Sequence, residues 1–209
     1  VDHSYRRGAI VRVRHAECYL VCMSVATATK ARYTVSEYLE LEGRSAEKHE
    51  FFDGEIFAMA GASYEHNVLV ANLTRLLGNA VGERCQVLAA DQRLYIPATG
   101  LYTYADASLL CERPDLTNET PPSLKNPDAL FEVLSPSTES YDRGKKFENY
   151  RTIPSLMHYV LVAQDQVLVE HFVRQPGGRW LLEEVRAGQS LSLPCGSMPI
   201  DPLYRRVLP

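Results

Sequence analysis

The sequence lacks what several large enzyme classes require. No GxSxG occurs, because Gly61-Ala62-Ser63-Tyr64-Glu65 has no closing glycine, and this argues against a Ser-His-Asp hydrolase. Neither a phosphate-cradling GxxxxGK[S/T] loop nor GxGxxG is present, which removes two common nucleotide-binding fingerprints. No apolar stretch approaches the roughly 18 residues of a membrane span, and no repeat period or low-complexity tract stands out, so a soluble protein without a membrane partner is expected. Cysteine is scarce and odd in number: Cys18, Cys22, Cys85, Cys111 and Cys195 include no CxxC. That spacing predicts neither a disulfide framework nor a zinc cage, and it fits a reducing cytoplasm.

What is present suffices for one globular domain. The chain has 209 residues, 45% hydrophobic and 23% charged, enough to bury a sizeable core. Charge is unevenly placed: residues 1–32 hold six Lys/Arg against two Asp/Glu, leaving sixteen basic against twenty-four acidic side chains in 33–209. An acidic body argues against an open basic surface for non-specific nucleic-acid binding, although a local groove or an assembled dimer can still be positive.

Residues 1–32 read as an N-terminal extension outside the core, and 33–209 as the domain. The modest apolar run from Cys18 to Ala28 ends in Ala26-Thr27-Ala28, which resembles a signal-peptide cleavage site. The run is short and interrupted by Cys22 and Ser24, so an extension upstream of a natural start at Met23 is the preferred reading.

From Thr34 the pattern becomes regular. Thr34-Val35-Ser36-Glu37 has capping-box spacing and predicts a short helix. Glu50 to Ala60 predicts a hairpin, with Asp53-Gly54 supplying the positive φ of a type I′ turn. Ser63 can cap a helix running to about Gly82, with Leu69, Leu73, Leu76, Leu77 and Ala80 on one stripe. Strands are expected at 85–90, 93–96, 103–111, 129–134, 157–162, 167–173 and 180–185, with a helix over about 138–151. Gly177-Gly178 marks the last hairpin turn. The order is mixed α/β.

Two acids stand out. Alternation along 103–111 puts Tyr104, Asp106, Ser108 and Leu110 on one strand face, which places Asp106 mid-strand. Glu132 shares a face with Leu130 and Leu134 inside an apolar run, where a carboxylate is costly unless a cation, a lysine or a metal matches it. If the two strands are neighbours about 4.8 Å apart, both carboxylates can reach one magnesium. Such an ion polarises a phosphodiester and lowers the pKa of bound water. The competing explanation is a pair of structural acids satisfied by backbone or salt bridges.

The following helix carries Asp142, Lys146 and Tyr150 at i, i+4 and i+8, so all three project from one side and Lys146 can point back at the carboxylates. Alternatively, Asp142 and Lys146 form a surface pair worth about 0.3–0.5 kcal/mol, and Lys145 competes for the same role. Glu50, which opens the hairpin, and His66, at helical spacing with Val70, Leu73 and Leu77, are weaker candidates. For His66 a satisfied core or cap histidine is the simpler reading.

Together, His49-Glu50-Phe51-Phe52-Asp53-Gly54-Glu55, Met59-Ala60-Gly61-Ala62-Ser63, His66-Asn67, Tyr104-Ala105-Asp106, Glu132 to Thr138 and Asp142-Arg143-Gly144-Lys145-Lys146 form a recognisable series. In order and spacing the series resembles the Uma2 (DUF820) family of bacterial endonucleases, within the restriction-endonuclease-like or PD-(D/E)XK superfamily, over roughly Thr34 to Tyr204. The resemblance implies a mixed central sheet flanked by helices with additional hairpins. Asp106 would match the motif aspartate, Glu132 the acid of E-x-K and Glu50 an additional upstream acid. Two departures matter: Ala105 replaces the usual proline, and Leu134 stands where the superfamily commonly has lysine. Related sequences move that lysine to the next helix, where Lys146 stands.

The expectation is therefore a magnesium-dependent endodeoxyribonuclease, manganese being a substitute. Asp106, Glu132 and the adjoining Val133 would hold metal, Glu50 would assist and Lys146 would serve the attacking water. A non-catalytic nucleic-acid-binding or assembly module that retains the fold is the rival, favoured by the acidic body and Leu134. A homodimer on DNA is expected, because the consecutive Trp180, Leu181 and Leu182 force a two-faced strand to expose a large apolar group unless something covers both faces.

Overall fold

In the computed structural model the described residues are 32–59 and 61–208. The Met23 start, Ala26-Thr27-Ala28, Cys18 and Cys22 lie outside them. Thr34 closes the expected capping box: its side chain accepts from Glu37 N, and the Glu37 carboxylate accepts from Thr34 N, opening α1 (Val35–Glu42). The hairpin β1 (His49–Phe52) and β2 (Glu55–Ala58) turns through Asp53 and Gly54, both at positive φ, as the type I′ reading requires. Ser63 caps α2 (Tyr64–Val81), whose buried stripe is Leu69, Leu73, Leu76, Leu77 and Val81.

Six strands follow before the chain reaches its third helical segment or returns from it: β3 (Gln86–Ala89), β4 (Arg93–Ile96), β5 (Leu101–Tyr104), β6 (Ala107–Leu110), β7 (Ala129–Val133) and, after the helices, β8 (His158–Val162). The single strand expected over 103–111 is in fact two. It breaks at Ala105-Asp106, because β5 belongs to a four-stranded sheet ordered β2-β1-β5-β4, whereas β6 belongs to a six-stranded sheet. Asp106 is thus at a corner between sheets rather than mid-strand as expected, and side-chain alternation does not run through it.

The six-stranded sheet has the order β10-β9-β8-β7-β6-β3, completed by β9 (Leu168–Arg174) and β10 (Trp180–Arg186), which turn through Gly177 and Gly178 at positive φ. The β7–β8 pair is parallel and the others are antiparallel. A C-terminal hairpin, β11 (Ser190–Leu193) and β12 (Gly196–Pro199), and a 3-10 turn (Asp201–Tyr204) were not legible in the sequence. Their apolar members, Leu191, Leu193, Met198, Ile200, Leu203 and Tyr204, join the core on the α2 side of the large sheet.

The helix expected over 138–151 is present but not uniform. It starts as α3 (Glu139–Tyr141), widens into a π-helical turn (Asp142–Lys146) and finishes as α4 (Phe147–Tyr150). Strand β7 divides as its alternation predicts: Ala129, Phe131 and Val133 enter the α2-side core, and Leu130 and, just past the strand, Leu134 enter the opposite core with Tyr150, Tyr159 and Leu161. Every residue of β7 is buried, so Glu132 is an acid inside an apolar layer. Among the described residues, no helix is long and apolar enough to cross a membrane.

The cysteine expectation is corrected. Cys85, just before β3, faces Cys111, just after β6, across an antiparallel pair in which Gln86 opposes Leu110, and the two form a disulfide. Cross-strand register created that neighbourhood, and linear spacing carries no trace of it.

Candidate active site

The corner that breaks β5 from β6 is where the site begins. Asp106 N donates to Phe131 O at 3.1 Å, and Asp106 Oδ2 accepts the N–H of Val133 at 2.7 Å. These bonds lock the carboxylate beside the end of β7, one residue past Glu132. The first turn of α2 brings His66 to the same oxygen, with Nε2 3.3 Å from Asp106 Oδ2. Burial pulls the His66 pKa down, but the hydrogen bond and charge of Asp106, aided by the Val133 backbone, outweigh it and leave it raised.

The helical segment after β7 supplies the cation. Lys146 Nζ lies 2.9 Å from Glu132 Oε1, 3.6 Å from Asp142 Oδ1 and 3.7 Å from Glu50 Oε1, and it donates to the carbonyl of Tyr104 at 3.1 Å. Its side chain is 5% exposed. The surface-pair alternative for Asp142 and Lys146 is excluded, since both are buried. Lys145 faces outward to Glu148 at 3.0 Å and takes no part. The π-helical turn sits at this point, and such turns cluster at functional sites because one wide turn re-aims side chains without ending the helix.

Neutral donors hold the acids in place. Tyr150 donates to Glu132 Oε1 at 2.8 Å, Tyr141 donates to Glu50 Oε2 at 2.8 Å, and the Thr103 hydroxyl donates to Glu50 Oε1. Burial pushes the Tyr150 and Tyr141 phenols up, with Glu132 and Glu50 adding to the shift, so both remain donors at neutral pH. Thr103 and Tyr141 escaped the sequence reading. Thr103 reaches Glu50 only because β1 pairs β5 with Phe51 opposite Tyr102, a non-local register. Val133 contributes backbone alone, its side chain lying in the core.

The electrostatics are lopsided. Asp106, Glu132, Glu50 and Asp142 face one lysine and one histidine. Burial raises the Glu132 carboxyl well above its usual range against the pull of Lys146, with Asp142 and Asp106 adding to the rise. Asp142 is raised for the same first reason. Burial alone would lower Lys146, but Glu132, Glu50 and Asp142 more than offset it and hold the ammonium charged. Leu134, at the position of the superfamily lysine, is buried apolar core. The Lys146 ammonium reaches the acid from the helix instead.

Against this geometry stand the relatives. A family model for Uma2, described as "Putative restriction endonuclease", matches residues 35–197. The uncharacterized protein sll1609 of Synechocystis sp. (strain ATCC 27184 / PCC 6803 / Kazusa) is 40% identical over 164 residues, covering 78% of this chain and 92% of its own length. A second uncharacterized protein of that organism, slr1290, is 38% identical over 172 residues, covering 81% and 90%. The crystal structure of a putative nuclease belonging to DUF820 from Anabaena variabilis ATCC 29413 superposes with a TM-score of 0.66 at 16% identity, covering 82% of this chain and 97% of that one. At that identity the likeness establishes a shared fold.

Proposed function

This chain belongs to the Uma2 family, and from that premise we propose that it is a metal-dependent endonuclease hydrolysing DNA phosphodiester bonds. One observation carries the reading: three carboxylates, those of Glu132, Asp142 and Glu50, converge on the single ammonium of Lys146, and a fourth, Asp106, is joined to Glu132 through the backbone of Val133 and adds to the charge that Glu132 meets. An all-oxygen donor set with surplus negative charge fits a hard divalent cation, so magnesium, or manganese in its place, suits these residues. Asp106 and Glu132 would hold it, with Glu50 and the Val133 backbone beside them. When bound, the ion supplies a water of lowered pKa and a polarised phosphodiester.

The remaining roles belong to the chain. Lys146 keeps Glu132 paired and offers an ammonium that can orient a water or balance charge on a phosphate oxygen. Tyr150 fixes the Glu132 rotamer through its hydrogen bond. His66, with its pKa raised by Asp106, stands where a proton can be given or taken at the edge of the site. A cytoplasmic setting and a homodimeric assembly on duplex DNA complete the proposal.

The rival reading, a non-catalytic nucleic-acid-binding or assembly module, draws on the acidic body of the chain. Short duplex DNA and duplex RNA of one sequence, incubated with manganese and either the chain or its Asp106→Ala variant, separate the readings. The enzyme cuts DNA and the variant does not. A module leaves both duplexes intact and takes up no manganese in calorimetry.

A further inference from the structure

A second cluster lies at the other end of β6 from Asp106. The sulfurs of Cys85, Cys111 and Cys195 all lie within 4.8 Å of one another. We propose that in the reduced chain these three thiols form a binding site for a thiophilic cation of the zinc class, separate from the oxygen-lined site.

The three ligands come from three places in the chain: the entrance to β3, the exit of β6 and the tight turn between β11 and β12. Backbone packing brings the last of them in. A Cβ at Gly196 would lie 2.1 Å from the carbonyl oxygen of Ala80, so only glycine lets the β11–β12 turn press against the end of α2. That close approach holds the neighbouring Cys195 over the Cys85–Cys111 pair. Cys85 is buried, whereas Cys111 and Cys195 are half-buried, which leaves a path for an ion on one side. Arg84 and Asp128 both act electrostatically on Cys195, and Asp128 also accepts the N–H of Cys111 at 2.7 Å. The arginine would offset part of the negative charge of three thiolates.

The spacing suits the chemistry. Zinc–sulfur bonds of about 2.3 Å put sulfurs sharing a tetrahedral ion about 3.8 Å apart, so small side-chain rotations bring the trio onto one centre. Three sulfurs leave a fourth position for water or another ligand. The Cys85–Cys111 disulfide and the bound cation exclude each other. A dithiol or phosphine reductant delivers two electrons and the disulfide takes up two protons, giving two thiols. Cation binding then releases the thiol protons. Bound, the ion would tie the C-terminal hairpin to the edge of the six-stranded sheet.

The test uses the full chain carrying Cys18→Ser and Cys22→Ser, reduced with a phosphine and titrated with cadmium. The expected result is a thiolate-to-cadmium charge-transfer band that saturates at one equivalent, is absent before reduction, and cannot arise from the carboxylate site. Loss of an outer partner of a metal ligand already costs 10- to 100-fold in affinity, so Cys195→Ser should weaken cadmium by about 100-fold or more. Should that variant fail to fold, alkylation of the cadmium-loaded parent chain decides: Cys195 is protected from maleimide, as read by mass spectrometry. A disulfide that resists reduction in the folded chain, an absent band, a band unchanged by Cys195→Ser, or Cys195 alkylated at the same rate with and without cadmium would each overturn the proposal.

Discussion

Lys146 Nζ meets Glu132 Oε1 at 2.9 Å from the helical segment that follows β7, not from the strand that carries the acid. The buried ammonium thus joins a cluster whose acids come from β1, the β5–β6 corner, β7 and the π-helical turn. Removing it leaves several acids buried with one cationic partner, His66, at their margin.

Replacement of Lys146 by methionine should therefore act on both stability and catalysis. Breaking a buried pair from one side costs about 3–5 kcal/mol. Urea denaturation without divalent metal should show a loss of that order, and magnesium should recover part of it by supplying positive charge. Cleavage should fall by about 100-fold or more in either metal.

Manganese should stabilise the folded chain. A ligand at 100 times its Kd contributes about 2.7 kcal/mol, or about 5–10 °C in melting temperature for a domain of this size. Differential scanning fluorimetry should show that rise for the unmodified chain and at most a small remnant for Glu132→Gln. Equal shifts in both would place metal binding elsewhere.

Local features were legible and non-local ones were not. The α1 capping box, the Asp53-Gly54 turn and the α2 stripe each depend on residues within a few positions of one another, so spacing alone revealed them. Glu132, Asp142, Lys146 and Tyr150 were readable as a group because strand alternation and helical spacing both point one way. Sheet membership was not readable: the corner at Ala105-Asp106 depends on β5 and β6 pairing with different partners, and the sequence reads through it as one strand. Thr103, Tyr141 and the Cys85–Cys111 contact were hidden for the same reason, since each depends on which distant segment lies alongside.

Acid should weaken the fold through a histidine pair on β8 and β9. His158 Nδ1 and His171 Nε2 are 2.8 Å apart, and His171 Nδ1 lies 3.8 Å from the half-exposed carboxylate of Glu183 on β10. Burial, with His158 adding to it, lowers the His171 pKa to about 4, and burial lowers that of His158. The unfolded chain therefore binds more protons than the folded one below the ordinary histidine pKa of about 6.5. Stability falls as pH drops through that value and this contribution levels off below about 4, with His171 accounting for up to about 3 kcal/mol. Denaturation midpoints across this window should be flatter in His171→Phe than in the unmodified chain.

The outer strand of the large sheet should be a subunit contact. Leu181 and Leu182 project to opposite faces of β10 yet are 48% and 44% exposed, while Trp180 packs edge-on against Phe147. Neither leucine is covered within the described residues. Light scattering should give a dimer mass at micromolar concentration and a monomer mass for the Leu181→Lys, Leu182→Lys double variant. A monomer before mutation would remove the dimer and leave nicking as the form of cleavage.

Supercoiled plasmid offers the most direct test that the carboxylate cluster is a nuclease centre. Purified chain and its Asp106→Ala variant are incubated with it in magnesium, in manganese and in chelator, and the conversion to open-circular or linear DNA is followed on a gel. The chain should convert the plasmid in either metal and not in chelator, and Asp106→Ala should be inactive. Equal conversion by both proteins, or none by the chain in either metal, would contradict the assignment.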